Sequence, residues 1–278
     1  MGSPCEVLSE TDDEALAGAL FDAIAAEAWR IEDKFSRYLP DNIVDRINRS
    51  NGEPIEVDDE SANLLDFATS MYDMSSGRFD ITSGVLRKAW IFDGSDKIPD
   101  DKLVQSILET VGWEQVSWDR PNLALRPGMQ IDFGGIGKEY AVDKAAALVV
   151  EKNSTSSTLV NFGGDVIVTG SAPDGKGWQV GIEALETSVR KADRIIRLSH
   201  GALATSGDAR RFVLKDGVRY GHILDPTTGW PIKDAPRSVT VAADTCTEAG
   251  MLATLAMLSG ADAEKFLKAQ NVQFWCYR

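Results

Sequence analysis

Four short segments concentrate the residue types that handle anions: Gly134-Gly-Ile-Gly-Lys138, Gly163-Gly-Asp165, Thr205-Ser-Gly-Asp208 and His222-Ile-Leu-Asp-Pro226. Glycines let a ligand approach the backbone closely, hydroxyls and N–H groups donate hydrogen bonds, and a lysine adds a mobile positive charge. Together they suit a phosphate-bearing ligand. The glycine turn before Lys138 also feeds a run with helical character, and a helix N-terminus offers free N–H groups and a favourable dipole to an anion. The alternative for each segment alone is a turn whose glycines serve only geometry. The first is neither GxGxxG nor a P-loop, so no dinucleotide fold follows from it. Thr205 and Ser206 lack a Ser-His-Asp arrangement, which weakens a nucleophile reading. His222 either orients a phosphate or acts as acid or base, or it is a hydrogen-bonded core histidine.

These segments need a scaffold, and the chain is long enough to build one. It has 278 residues, 43% hydrophobic and 26% charged, as expected of a globular protein with a sizeable core. The net charge of -14 argues against nucleic acid and anionic membrane surfaces as partners, without preventing a local phosphate pocket. Cys5, Cys246 and Cys276 form neither a zinc pattern nor a disulfide framework, and two histidines, His200 and His222, do not make a multi-histidine metal site. No apolar run is long enough for a membrane span, and no signal peptide is visible.

Periodicity and punctuation then place the elements. A short strand is expected over Cys5–Ser9. Leu16, Leu20, Ile24, Ile31 and Phe35 share a face, which predicts a long amphipathic helix over Asp12–Phe35, stopped before Pro40. Arg37 and Tyr38 follow it, as a surface pair or as an aromatic plate for a flat ring. Helices are expected over Asp41–Asn48, Glu60–Met74 and Asp100–Val111. If Arg78–Thr82 is extended, Phe79 and Ile81 point inward with Asp80 and Thr82 opposite, either as site residues or as a cap. Trp90-Ile-Phe92 is an aromatic knot expected to pack, and Trp118–Asn122 a hairpin turn. Ile131–Asp132 is read as the end of a strand, and a helix opens at Lys138. Strands then crowd the second half (159–162, 166–169, 178–182, 195–198, 202–208, 212–214, 238–243, 272–276), with helices over Thr245–Ser259 and Ala261–Ala269. No linker or internal repeat is present. The expected architecture is α+β: a single large domain of mixed or antiparallel strands with flanking helices, spanning 1–278 and helix-rich in its N-terminal part.

Taken in order, the motifs resemble those of the ApbE family of flavin transferases. The matching pieces are Met1-Gly2-Ser3, Phe35-Ser-Arg-Tyr38, Gly77–Thr82, Ile131–Lys138 with Tyr140–Asp143, Asn161-Phe-Gly-Gly-Asp165, Thr205–Asp208, His222–Pro226 with Thr228–Pro231, and Ala253-Thr254. The resemblance implies FAD as donor, magnesium as metal, and transfer of FMN to a Thr or Ser of an acceptor flavoprotein with release of AMP. The alternatives are a non-catalytic FAD-binding homologue and a pyrophosphatase giving FMN and AMP. By the same resemblance Tyr38 lies against the adenine, and Met1, Asp80, Lys138, Asp143, Asp165, Thr205, Ser206 and His222 complete the cofactor-binding set. The Gly137 carbonyl and Thr254 are implied metal ligands, and Thr254 and His222 the catalytic residues. The resemblance further implies an extracytoplasmic, membrane-anchored lipoprotein; no signal or lipobox is visible, which leaves a cytoplasmic location open.

Three departures stand out. The family's acidic metal ligand is Gly250 here, the glycine after the lysine is Glu139, and the first of a His-His pair is Gly221. If Thr245–Ser259 is helical, positions 250 and 254 share a face one turn apart. Cys246 shares that face but is a soft ligand, Glu248 lies nearly opposite, and Asp244 precedes the helix. The sequence therefore predicts weak or absent metal binding without FAD, low transferase activity, and stronger magnesium binding and FAD turnover in Gly250→Asp.

Overall fold

In a strand, successive side chains face opposite ways, and here that alternation sorts the molecule into layers. Ala202, Ala204, Val239, Val241 and Ile167 lie on one face of a central sheet, in the main core with the helices. Leu203, Val166, Val168 and Leu159 lie on the other, against Leu198, Trp178, Val180 and Ile196. The structure is a computed structural model describing residues 3–93, 95–152, 157–172, 175–183, 192–208 and 211–278.

The elements run β1 (Cys5–Glu10), α1 (Glu14–Phe35), α2 (Ile43–Asn48), β2 (Ile55–Glu56), α3 (Asp59–Met74), α4 (Asp101–Leu108), β3 (Ser117–Asp119), β4 (Asn122–Ala124), α5 (Gly137–Lys152), β5 (Ser157–Phe162) and β6 (Asp165–Val168). There follow β7 (Trp178–Glu183), β8 (Ala192–Leu198), β9 (Gly201–Gly207), β10 (Phe212–Lys215), β11 (Val218–Gly221), β12 (Ser238–Ala243), α6 (Cys246–Leu258), α7 (Ala263–Ala269) and β13 (Gln273–Tyr277). The central sheet has six strands in the order β1-β5-β6-β9-β12-β13, every neighbouring pair antiparallel. The β7–β8 hairpin covers one face; α5 and α6 cover the other, with α1 packed on α5.

Side-chain oxygens set the helix starts. Asp13, Asp58 and Thr245 each accept from the N–H three residues on, satisfying a donor that the first turn leaves orphaned. In α1, Leu20, Ile24, Ile31 and Phe35 of the predicted stripe are buried together with Ala28, and Leu16 is half-buried. Because Asp13 caps it, the helix begins at Glu14 rather than Asp12. Asp100 likewise caps α4, which stops at Leu108, short of the expected Val111.

Two expectations are corrected. Ile131–Asp132 is not strand. The Asn48 side-chain amide takes both backbone groups of Ile131, at 2.7 and 3.0 Å, and the Asp132 N–H donates to the Ile81 carbonyl at 2.8 Å, so no ladder neighbour is left to pair. Nor is Arg78–Thr82 a strand with two faces. A 3₁₀ helix spans Ile81–Lys88, and Phe79, Asp80, Ile81 and Thr82 are all buried. Asp80 caps that helix through the Thr82 N–H at 2.7 Å, accepts from the Thr82 hydroxyl at 2.6 Å, and receives the Trp113 N–H at 3.0 Å. Thr82 in turn accepts from the Gly112 N–H. Truncating this buried carboxylate leaves three donors without a partner. Asp80→Ala is expected to lower stability by about 3 kcal/mol in urea unfolding, with Thr82→Val losing less; an Asp80→Ala variant as stable as the parent contradicts the capping role.

Candidate active site

The turn that opens α5 is stitched together from within. The Gly134 N–H donates to Asp132 Oδ1 at 2.9 Å, and the Ile136 and Gly137 N–H groups both donate to the Phe133 carbonyl. Three of the N–H groups read from sequence as pointing outward to an anion are therefore committed, and the anion-nest expectation is corrected to that extent. Asp132 also receives Arg37 Nη1 at 2.5 Å, while Arg37 Nη2 donates to the Tyr38 hydroxyl at 2.7 Å, with the guanidinium 4.8 Å from the Tyr38 ring centroid. Tyr38 is thus a braced aromatic plate, 78% exposed.

One turn of sequence later the chemistry becomes denser. Lys138 forms an ion pair with Asp165, which is 1% exposed at the start of β6. Asp165 also accepts the Thr205 N–H from β9 at 3.0 Å. Burial alone would lower the Lys138 ammonium, but the Asp165 and Glu139 carboxylates outweigh it and hold the group above its ordinary value, so it stays charged. Strand alternation sends Thr205 and Ser206 to opposite faces. The Thr205 hydroxyl meets Thr240 at 2.8 Å across the ladder, whereas Ser206 turns to α6 and meets the Thr254 hydroxyl at 2.9 Å. Thr205 therefore serves this cluster through its main chain, not its hydroxyl. The Lys138–Asp165 and Ser206–Thr254 pairs thus meet β9 at adjacent residues, with Gly137 preceding Lys138 at the start of α5.

The residue that sequence reading passed over is Glu139. It is 8% exposed, and its Oε2 has no hydrogen-bond partner. Burial first, then the neighbouring Asp165 carboxylate, pushes its pKa well above the usual carboxylate range. Its side chain lies over Gly250: a methyl carbon added at Gly250 would sit 2.5 Å from Glu139 Cγ and 3.1 Å from Oε1. The expected gain from Gly250→Asp is corrected accordingly, because an aspartate has no room while Glu139 holds its place. The signal was present in the two departures at 139 and 250, which read as separate losses along the chain and are one contact in space.

Other candidates are held by partners outside the Lys138–Asp165 and Ser206–Thr254 pairs. Asp143 receives the Cys246 and Thr247 N–H groups at 2.7 and 2.9 Å and the Thr247 hydroxyl at 2.5 Å, so it caps α6 from α5. Asp80 is the buried cap described above. His222 lies against Phe92, ring centroids 6.2 Å apart, and pairs with the Arg211 carbonyl at 3.2 Å through Nδ1. A carbonyl only accepts, so Nδ1 carries the proton and Nε2 is the acceptor of the neutral ring. Burial and Arg211 keep the His222 pKa below its ordinary value. Gly221 beside it faces the Asp208 carboxylate. Met1 lies outside the described residues.

Residues 1–276 match the family described as the ApbE family. The FAD:protein FMN transferase of Vibrio cholerae serotype O1 is 32% identical over 235 residues, 83% of this chain and 70% of that protein. That of Chlamydia trachomatis serovar D is 29% identical over 275 residues, 95% and 84% of the two chains. Among solved structures, the ApbE protein of Thermotoga maritima superposes with a TM-score of 0.88 at 30% identity, covering 99% of this chain and 91% of that one. The apo flavinyl transferase ApbE of Pseudomonas stutzeri gives 0.83 at 25% identity, with 99% and 91% covered.

The Lys138–Asp165 pair alters what removal of the lysine should do. A lysine at a glycine turn ordinarily carries little of a fold, yet here its loss strands a buried carboxylate. Lys138→Ala is expected to lower stability on the order of 2 kcal/mol, the discounted end of the range for a buried pair because the lysine is 32% exposed. Lys138→Ala/Asp165→Asn should recover much of that loss. Equal denaturation midpoints for parent and Lys138→Ala rule the pairing out as a stabilising element. Asp143→Ala is expected to cost about 1–2 kcal/mol through α6, measured the same way; a neutral outcome returns Asp143 to a purely ligand-binding role.

Proposed function

The chain belongs to the ApbE family, and we propose from that premise that it is an FAD:protein FMN transferase, the activity its curated relatives are named for. A Thr or Ser hydroxyl of an acceptor flavoprotein attacks the phosphorus on the FMN side of the FAD diphosphate. The bond from that phosphorus to the bridging oxygen breaks, AMP leaves, and the hydroxyl proton passes to a base. The observation that carries the reading is the convergence of Lys138, Asp165, Ser206 and Thr254 at one end of the central sheet.

The residues divide the work by their chemistry. Lys138 keeps its charge and is placed to lie against diphosphate oxygens once a ligand competes for it with Asp165. Tyr38, fixed by Arg37, offers a flat face for the adenine. His222, neutral and with Nε2 as acceptor, is suited to take the proton of the attacking hydroxyl. A divalent cation of the magnesium type fits the oxygen donors here: the Thr254 hydroxyl, the Gly137 carbonyl and a buried carboxylate. When bound, such an ion neutralises diphosphate charge and makes the phosphorus more electrophilic. Among the described residues no helix is long and apolar enough to cross a membrane.

Incubation with FAD, magnesium and an acceptor flavoprotein, followed by intact-mass spectrometry, tests the reading. A flavin-sized gain on the acceptor together with free AMP is the expected result. AMP and FMN without that gain identify a pyrophosphatase, and unchanged FAD identifies a binding protein. In the same assay Tyr38→Ala should weaken FAD binding by about 1 kcal/mol and leave FMN binding unchanged; equal loss for both ligands removes Tyr38 from the adenine.

A further inference from the structure

A glutamate in the first turn of a helix ordinarily reaches into solvent. Glu139 does not: it is 8% exposed, no N–H or hydroxyl donor reaches its Oε2, and it lies against the Asp165 carboxyl. A buried acceptor without a donor is costly and rare in a folded protein, and two carboxylates in contact repel unless a positive charge lies between them. The neighbouring cation, Lys138, is already paired with Asp165. The cluster therefore sets two buried carboxyl groups against a single lysine.

The place that Glu139 fills is specific. Its Cγ and Oε1 occupy the space into which any side chain at Gly250 would project, at 2.5 and 3.1 Å from the first added carbon. One turn along α6 from Gly250 is Thr254, whose hydroxyl bonds Ser206. Two residues before Glu139 is Gly137, at the start of α5. Glycine at 250 is what admits the longer side chain from the neighbouring helix, and the carboxyl arrives on the face of α6 that carries Thr254.

We propose that Glu139 is a divalent-cation ligand, delivering from α5 the carboxylate that α6 lacks at Gly250. The carboxyl and hydroxyl oxygens nearby select a hard ion such as Mg²⁺ or Mn²⁺, while the buried Cys246 thiol on the same face of α6 is a soft donor that burial and the neighbouring carboxylates push well above its ordinary pKa. Among the described residues no group of three or more His, Cys, Asp or Glu side chains forms a complete cage. That matches the habit of magnesium, which takes one or two carboxylates and leaves its remaining positions to water and substrate phosphate. The inference rests on the transferase reading for the role of the ion, but it is tested by binding alone, so that loss of one does not entail loss of the other.

The experiment is a Mn²⁺ titration of the full chain, with and without FAD, read by electron paramagnetic resonance of free Mn²⁺ and by isothermal calorimetry. The parent is expected to bind one Mn²⁺ without FAD and to bind it more tightly with FAD. Glu139→Gln, which keeps the shape and removes the charge, should weaken Mn²⁺ binding at least ten-fold while the thermal midpoint of the metal-free protein holds or rises. Gly250→Asp alone should not tighten binding. Glu139→Gly/Gly250→Asp should return binding to within a few-fold of the parent, and it keeps the question answerable if Glu139→Gln folds poorly. Parent-like Mn²⁺ affinity in Glu139→Gln overturns the proposal, as does a parent that takes up no Mn²⁺ with or without FAD. A fall in the metal-free midpoint of Glu139→Gln with unchanged Mn²⁺ affinity assigns Glu139 a structural role instead.

Discussion

The ion pair between Lys138 and Asp165 fixes where everything else in the site can be. Asp165 begins β6 in the middle of the sheet and is 1% exposed. A carboxylate that deep is tolerated only when partners replace the water it has lost. Those partners come from two other elements: the lysine in the first turn of α5 and the Thr205 N–H of β9. The pair thereby pins the helix start against the strand ends. Asp143, farther along α5, then holds the first turn of α6. The site is the seam along which two helices and two strands are tied together by charge, so its residues serve the fold and the chemistry at once.

Much of this fold was legible along the chain because its signals are local. The α1 stripe at Leu20, Ile24, Ala28, Ile31 and Phe35 can be counted directly, and the Trp118–Asn122 turn and β12 follow from turn residues and β-branched runs. The errors share a different origin. Ile131–Asp132 has strand composition, but its backbone groups are taken by a side chain 83 residues away and by the Ile81 carbonyl, which no window of sequence shows. Asp80 and Thr82 have the alternation of a strand, but Asp80 starts a 3₁₀ helix because its carboxylate caps one.

The site was legible as a set of segments, not as a geometry. The motifs located Lys138, Asp165, Ser206 and Thr254, which do converge. They could not say that Thr205 and Ser206 face opposite ways, although the period of two, applied to a strand ending at Gly207, contains that information. They also could not separate an acid paired with a lysine from a capping one: Asp80, Asp143 and Asp165 look alike in sequence, and only the donors that reach each one distinguish them.

Glu139 and Gly250 show why reading a motif one position at a time misleads. Taken singly, a glycine in place of an acid is a lost ligand, and a glutamate in place of a glycine is a surface change. In space the two positions touch, and the carboxyl that one helix lacks is supplied by the other. The exchange conserves the number of carboxyl groups in the pocket. It also conserves filled volume, because the glutamate occupies the room that a side chain at 250 would take. The price is a buried carboxyl set against a second one, and a fold that only had to fill space could have filled it with a leucine. Retaining an acid there, beside a second acid and a single lysine, is intelligible if the pocket is shaped for something positive and doubly charged.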